Sequence, residues 1–182
     1  MIEYQIPHRF IKGVVCTAEI DCDEGASESV KKGLAAVWAV KNGIRLRQSD
    51  LSGAYLKGAS LRRADLFMAD LYRAYLYRAD LGGANLDSAN LYKASLEKSC
   101  LGRAYIKEAN LMGADLRGAN LSGSNLYKAD LRQARLTGAY LDGANLYKAN
   151  LEAADVYKSD LRGTHLEEIE HRTMKALIEA KA

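Results

Sequence analysis

Ala84-Asn85-Leu86-Asp87-Ser88, Ala114-Asp115-Leu116-Arg117-Gly118 and Ala119-Asn120-Leu121-Ser122-Gly123 are three instances of one five-residue unit that runs without interruption from Ser49 to Glu168. Leucine recurs every fifth residue from Leu51 to Leu166, replaced only by Ile106 and Val156, which gives twenty-four centres. Two residues before each centre stands a small residue, usually alanine as at Ala54, Ala59 and Ala64, otherwise Ser49, Ser99, Ser124, Ser159 or Thr164. Invariant apolar and small positions at one spacing identify two inward columns, and the three positions between them are free to vary.

A period of five matches neither the 3.6 of an α-helix nor the 2.0 of a strand, so neither amphipathic pattern accounts for it. A solenoid does. If each unit forms one side of a rectangular coil, four units close a turn and every twentieth residue stacks on its predecessor. The twenty-four centres then make about six coils, and at about 4.8 Å per coil the stack is a rod on the order of 30 Å long. Leu51, Leu71, Leu91, Leu111, Leu131 and Leu151 form one of the predicted core columns. Each buried leucine contributes roughly 1.5 to 3 kcal/mol, enough in aggregate to hold coil on coil, while alanine lets the corners close.

The quoted runs resemble the pentapeptide repeat family, whose pattern is Ala, Asp or Asn, Leu, any residue, Gly. The resemblance covers about two-thirds of the chain and implies a mainly β fold, a right-handed quadrilateral parallel β-helix with Ala and Leu pointing inward. The fifth position is glycine at Gly53, Gly58, Gly83, Gly113, Gly118, Gly123, Gly138, Gly143 and Gly163, as a type II turn with positive φ requires. Elsewhere it is often Arg or Lys, and a long side chain is disfavoured at positive φ, so a different turn is expected at those corners.

Three segments follow: a cap over 1–44, the β-helix over 45–168 and a closing helix over 169–182. In the first, Ile2, Tyr4 and Ile6 alternate with polar residues before Pro7, and Phe10 to Ile20 is rich in β-branched residues around Gly13, which predicts two paired strands. From Ser27, a suitable N-cap, the pattern turns helical. Val30, Leu34, Val37, Trp38 and Lys41 share a face and Gly43 ends the helix, so Leu34 and Trp38 are expected to seat on the first coil. A solenoid end needs such a cover because it exposes core and unpaired backbone. This opening followed by pentapeptides is similar to some phage and prophage proteins of the family. At the other end, Thr164 and Glu167 have capping-box spacing before Ile169, Met174, Leu177 and Ile178; that helix either covers the last coil or forms a homodimer with a second copy.

The remaining composition argues against catalysis. Of three histidines, His8 stands alone, while His165 and His171 are six residues apart, poor spacing for a shared ligand site. Cys16 and Cys22, beside Asp21, Asp23 and Glu24, match no zinc spacing, and Cys100 occupies an outward position. Three cysteines cannot all pair within one chain, which suits free thiols in a reducing compartment. The start Met1-Ile2-Glu3-Tyr4 has no secretory pattern and no apolar run reaches membrane-spanning length, so a cytoplasmic protein is expected. A rod packed with leucine offers no cleft. The expectation is therefore a protein that is not an enzyme and uses no metal or cofactor.

The outward columns carry what functional signal there is. Asp50, Asp70, Asn90, Asn110, Asp130 and Asn150 stack at twenty-residue spacing as a hydrogen-bonding ladder, and Tyr72 over Tyr92, Tyr127 over Tyr147 and Tyr55 over Tyr75 as aromatic ladders. Six units place a base directly after tyrosine, at Arg73, Arg78, Lys93, Lys128, Lys148 and Lys158. Such interleaving suits an acidic protein surface or a single-stranded nucleic acid, and it also suits a face that is merely stacked and solvated. The net charge is +3, and 44–168 holds 18 Lys and Arg against 15 Asp and Glu. Within this mild excess the bases gather on the early coils. The candidate partner surface is Arg62, Arg63, Arg73, Arg78 and Arg103 with Tyr72 and Tyr92, on a non-catalytic scaffold for a protein partner. Family members that protect DNA gyrase or topoisomerase IV resemble DNA in shape and negative charge; mimicry of DNA is the alternative, from which this mildly basic repeat, with Leu centres in place of the Phe common in those proteins and without a long loop, departs.

Overall fold

The computed structural model describes residues 1–165. From Leu46 onward the backbone closes a turn in every unit, as in Ala54 N–H to Leu51 O, Ala59 to Leu56, Ala64 to Leu61 and Ala69 to Leu66, so four turns separate residues twenty apart. The residue before each centre then pairs in parallel with its equivalent one coil on: Asp50 with Asp70, Tyr55 with Tyr75, Ser60 with Asp80, and so to Asn145 with His165. Each coil is bonded both ways. Leu71 N–H donates to Asn90 O at 2.7 Å, and Asn90 N–H donates back to Ala69 O at 2.9 Å. The core column Leu51, Leu71, Leu91, Leu111, Leu131 and Leu151 is buried throughout.

The register begins one unit earlier than Leu51. Leu46 is fully buried, its amide donates to Asp65 O, and Ile44 stands in the place of the usual alanine. Ile44 and the corner residue Gln48 obscure this unit in the sequence.

The non-glycine corners do not use a different turn. Arg63, Arg73, Arg78, Lys93, Lys98 and Arg103 have φ between 53° and 57°, and Glu108, Lys128, Gln133, Lys148 and Lys158 follow suit. Only the second central residue of each turn is positive, the type II pattern, whichever residue occupies it. The ladder is the reason: the corner amide is itself bonded to the next coil, as in Arg73 N–H to Tyr92 O at 3.0 Å, and the inward Leu and Ala fix both sides of the turn. A cost on the order of 1 to 2 kcal/mol per left-handed residue is outweighed by burial and pairing that no alternative turn would keep in register.

The cap consists of β1 (Ile2–Pro7), β2 (Val14–Ile20) and α1 (Glu28–Lys41), with β1 and β2 antiparallel. Ser27 accepts from Val30 N–H at the start of α1. The cap continues the ladder onto the first coil: Asp50 N–H donates to Pro7 O at 2.8 Å, Arg9 N–H to Gln48 O at 2.7 Å, and Tyr55 N–H to Ser29 O at 2.9 Å. The face of α1 that docks is not the leucine face. Leu34 is 37% exposed and Trp38 half-buried, whereas Lys32, Gly33, Ala35, Ala36 and Ala39 are buried. Gly33 explains the choice, since a Cβ there would lie 2.0 Å from Tyr55 O. Backbone meets backbone, and a side chain as large as leucine has no room between them. Beside this contact Lys32 Nζ reaches Asp50 at 3.2 Å and Ser52 O at 3.2 Å. The closing helix expected over 169–182 lies outside the described residues, as does its choice between capping and pairing.

Candidate interaction surface

The outward ladders are built from the turn. In the column Asp50, Asp70, Asn90, Asn110, Asp130 and Asn150, each side-chain oxygen accepts the amide two residues on, at 2.9 to 3.2 Å. Neighbouring coils join through Asn90 to Asp70 at 2.9 Å and Asn110 to Asn90 at 3.3 Å. These side chains hold the turns and each other, which gives the column a structural role. The tyrosines stack as the spacing predicts: Tyr72 on Tyr92 at 5.8 Å, Tyr127 on Tyr147 at 5.8 Å and Tyr55 on Tyr75 at 5.4 Å.

Each base that follows a tyrosine lies over that tyrosine's ring. The cation stands 5.1 Å from the centroid for Arg73 on Tyr72, Lys93 on Tyr92, Lys148 on Tyr147 and Lys158 on Tyr157, 5.2 Å for Arg78 on Tyr77 and 5.3 Å for Lys128 on Tyr127. One separation accompanies one backbone geometry, since all six bases share the left-handed corner. Such a contact contributes about 0.5 to 1 kcal/mol at an exposed site and leaves the charge unneutralised. A second arrangement appears where a base precedes a glycine one coil on: the Arg63, Lys93, Lys98 and Arg103 stems lie beside the space a Cβ would fill at Gly83, Gly113, Gly118 and Gly123.

The later arginines are spent on carboxylates. Arg117 binds Asp115 at 2.6 Å and Glu97 at 3.1 Å, Arg132 binds Asp130 at 2.7 Å, Arg135 reaches Asp115 at 3.4 Å and Arg162 binds Asp160 at 2.6 Å. Arg162 holds the Asp160 carboxyl down to about 2. Arg132 lowers Asp130; at Asp115 burial works upward, but hydrogen bonds from Arg117 outweigh it. Of the candidate surface, Arg62 alone is paired in this way, to Asp80 at 3.1 Å. Among the described residues, Arg63, Arg73, Arg78 and Arg103 have no carboxylate partner, and all four are exposed. They do not form one patch. Tyr72, Arg73 and Tyr92 share one corner column; Arg62, Arg63 and Arg103 share the diagonally opposite one, two units away; Arg78 stands at the corner between.

His165 continues the Asn145 column, and Cys16, Cys22 and Cys100 are free, with burial raising the Cys16 thiol. Among the described residues no His, Cys, Asp and Glu group is arranged to hold a metal ion, and no helix is long and apolar enough to cross a membrane.

Stacked four-sided coils with ordered side-chain columns on their outside define the class: a β-helical repeat protein. The chain belongs to the pentapeptide repeat family, with eight copies of the Pentapeptide repeats model matching residues 42–67, 69–107, 101–133 and 129–167. Proteins of this family form right-handed quadrilateral β-helices and are generally structural or interaction proteins. Among solved structures, the chain is similar to Rfr23 from the cyanobacterium Cyanothece 51142 at 34% identity, covering 62% of this chain and 61% of that one with a TM-score of 0.25. It therefore spans less than two-thirds of the length of Rfr23. HetL from Nostoc sp. strain PCC 7120, described as involved in heterocyst differentiation regulation, is 30% identical over 69% of this chain and 77% of its own, with a TM-score of 0.23. QnrB1, a plasmid-mediated fluoroquinolone resistance protein, is 16% identical over 76% and 85%, with a TM-score of 0.29. No curated protein matches the sequence.

Proposed function

We propose that the chain is a non-catalytic β-helical scaffold that binds a protein partner through the bases of its early coils, with 1–44 as the cap of a β-helix of about six coils over 45–168. The observation that carries this reading is the division of the arginines: Arg117, Arg132, Arg135 and Arg162 are satisfied by carboxylates of the protein itself, whereas Arg63, Arg73, Arg78 and Arg103 are exposed without one among the described residues. Arg73 and Arg78, lying on tyrosine rings, present flat amphipathic surfaces of the kind enriched at protein interfaces. The partner face is acidic. The three free thiols favour a reducing compartment such as the cytoplasm.

The test begins with affinity capture from the native host and measures binding of the purified partner to Arg73→Glu/Arg78→Glu. The double reversal should abolish binding without lowering the melting temperature, and the wild-type affinity should fall with added salt. Lys128→Glu should bind as the wild type does, because Lys128 already faces Glu108 at 3.5 Å. The same double reversal separates the DNA-mimic alternative. A protein that imitates DNA to gyrase or topoisomerase becomes more effective as its surface loses positive charge, so stronger protection in a supercoiling assay would replace the present reading. Binding of single-stranded nucleic acid at physiological salt, lost in the double variant, would instead assign the tyrosine corners to base stacking.

A further inference from the structure

Among the described residues, the β1–β2 loop and the start of β2 carry an exposed apolar group outside the tyrosines: Phe10 is 53% exposed, Ile11 67% and Val14 49%. Scattered single apolar residues at a surface are ordinary, whereas a contiguous exposed group marks an interaction site. This one is held open and in place. His8 N–H donates to Gly13 O at 3.0 Å, Arg9 N–H to Gln48 O at 2.7 Å, and Arg9 Nη1 to Met68 O at 3.0 Å, while the Arg9 guanidinium lies 4.9 Å from the Phe10 ring centre. One guanidinium thus touches both Phe10 and the corner at Met68. The two phenylalanines of the chain both stand here, and each carries an arginine over its ring, Arg47 lying 4.5 Å from Phe67.

We propose that Phe10, Ile11, Phe67 and Met68, with Arg9, Lys12 and Arg47 around them, form a second docking surface, and that its occupant is a protein segment carrying carboxylates beside one or two large apolar side chains. The charge of the patch selects the acidic partner: among the described residues Arg9 and Lys12 have no ion pair and Arg47 reaches Asp65 at 3.7 Å, while the Asp87 carboxylate, one coil beyond Phe67, is engaged by the Lys107 amide. Its composition selects a protein: Phe, Met and Arg are the residues enriched at the centre of protein interfaces. The backbone argues against a lipid occupant. Among the described residues the amides of Ile11 and Lys12 have no hydrogen-bond partner, which a polypeptide can supply and hydrocarbon cannot. This surface uses none of the early-coil bases of the scaffold reading, so either can fail alone.

The probe is a random dodecapeptide display library, selected on the full chain and counter-selected on Phe10→Ser/Ile11→Ser. Selected peptides should place Asp or Glu next to Phe, Leu or Trp, bind the wild type at least about tenfold more tightly than the double variant, and weaken with salt. Lys12→Glu, a change on the exposed loop that leaves the apolar residues in place, should reduce binding of the same peptides. Arg73→Glu/Arg78→Glu should leave it unchanged. Failure to enrich any peptide, a basic consensus, or equal binding to Phe10→Ser/Ile11→Ser would overturn the assignment. So would a loop-dependent association with vesicles of phosphatidylglycerol and phosphatidylcholine in the absence of peptide enrichment, which would make the occupant a membrane surface.

Discussion

A left-handed backbone position is occupied by Arg, Lys, Glu, Gln, Met, Ser and Ala as well as by Gly, with φ between 53° and 60° for the former and between 62° and 66° for the corner glycines. Local preference is overruled here by a ladder that fixes each corner through its neighbours above and below. The general rule that long side chains avoid positive φ therefore misreads the corners, although the same sequence displays the inward columns plainly. The small-residue column contains a second local exception. Ser49, Ser99, Ser159 and Thr164 each donate a hydroxyl hydrogen bond to the carbonyl three residues back, at 2.7 to 2.8 Å. Ser124 does not; among the described residues its Oγ is the buried side-chain oxygen left without a partner. Ser124→Ala should accordingly raise stability by about 1 kcal/mol, whereas Ser99→Ala should lower it slightly, both measured by urea denaturation. Nothing in the sequence separates these two serines, because the difference depends on hydroxyl orientation in the packed column.

The cap is the element where sequence and structure agree on the parts and differ on the joint. Alternation places the strands, and Ser27 with the helical spacing places α1. The docking face is hidden because apolar periodicity points to Leu34, while contact is made where side chains are smallest and along the stem of a lysine. Gly33→Ala should pull α1 off the first coil, breaking the Tyr55 to Ser29 bond and lowering stability by several kcal/mol, at the upper end of single-site effects. The one tryptophan, Trp38, reports the change through its emission. Gly25→Ala, where a Cβ meets nothing within 4 Å, is the matched control and should leave both signals unchanged. The joint also responds to acid. Burial pushes the Asp50 carboxyl upward, but hydrogen bonds from Ser52 and Lys32 outweigh it and leave the group below its ordinary value. A carboxyl depressed in the folded state stabilises above its unfolded value, about 3.9 for aspartate, and that contribution is lost as pH falls through the folded value. Melting temperature should be flat above about pH 5 and decline below pH 4, with a smaller decline in Asp50→Asn.

For the whole molecule, coil number and coil phase are separable. Residues twenty apart are equivalent in the ladder, so deletion of 86–105 joins Asn85 to Ile106 with every inward column and every outward column still in line. The product should fold cooperatively and melt somewhat lower, as nearest-neighbour stacking predicts for one fewer coil. Deleting the single unit 86–90 also keeps Leu and Ala inward, but it rotates all later columns by one side. The Tyr72–Tyr92 stack across the junction would then be lost, and a circular dichroism melt should show the larger loss for the smaller deletion. The periodicity was legible because it is written in every unit, and the pairs of Arg117, Arg132 and Arg162 are written too, as Asp-Leu-Arg within one turn; the contacts of Arg117 with Glu97 and of Arg135 with Asp115 were not, because they form between coils. The ladder also has a mechanical consequence. Pulled from its two ends, a structure bonded only between adjoining turns has no reason to yield all at once. It should pay out thread in equal lengths, each turn releasing about 65 Å of extended chain, and an optical trap would record the four-sided winding as a staircase of uniform steps.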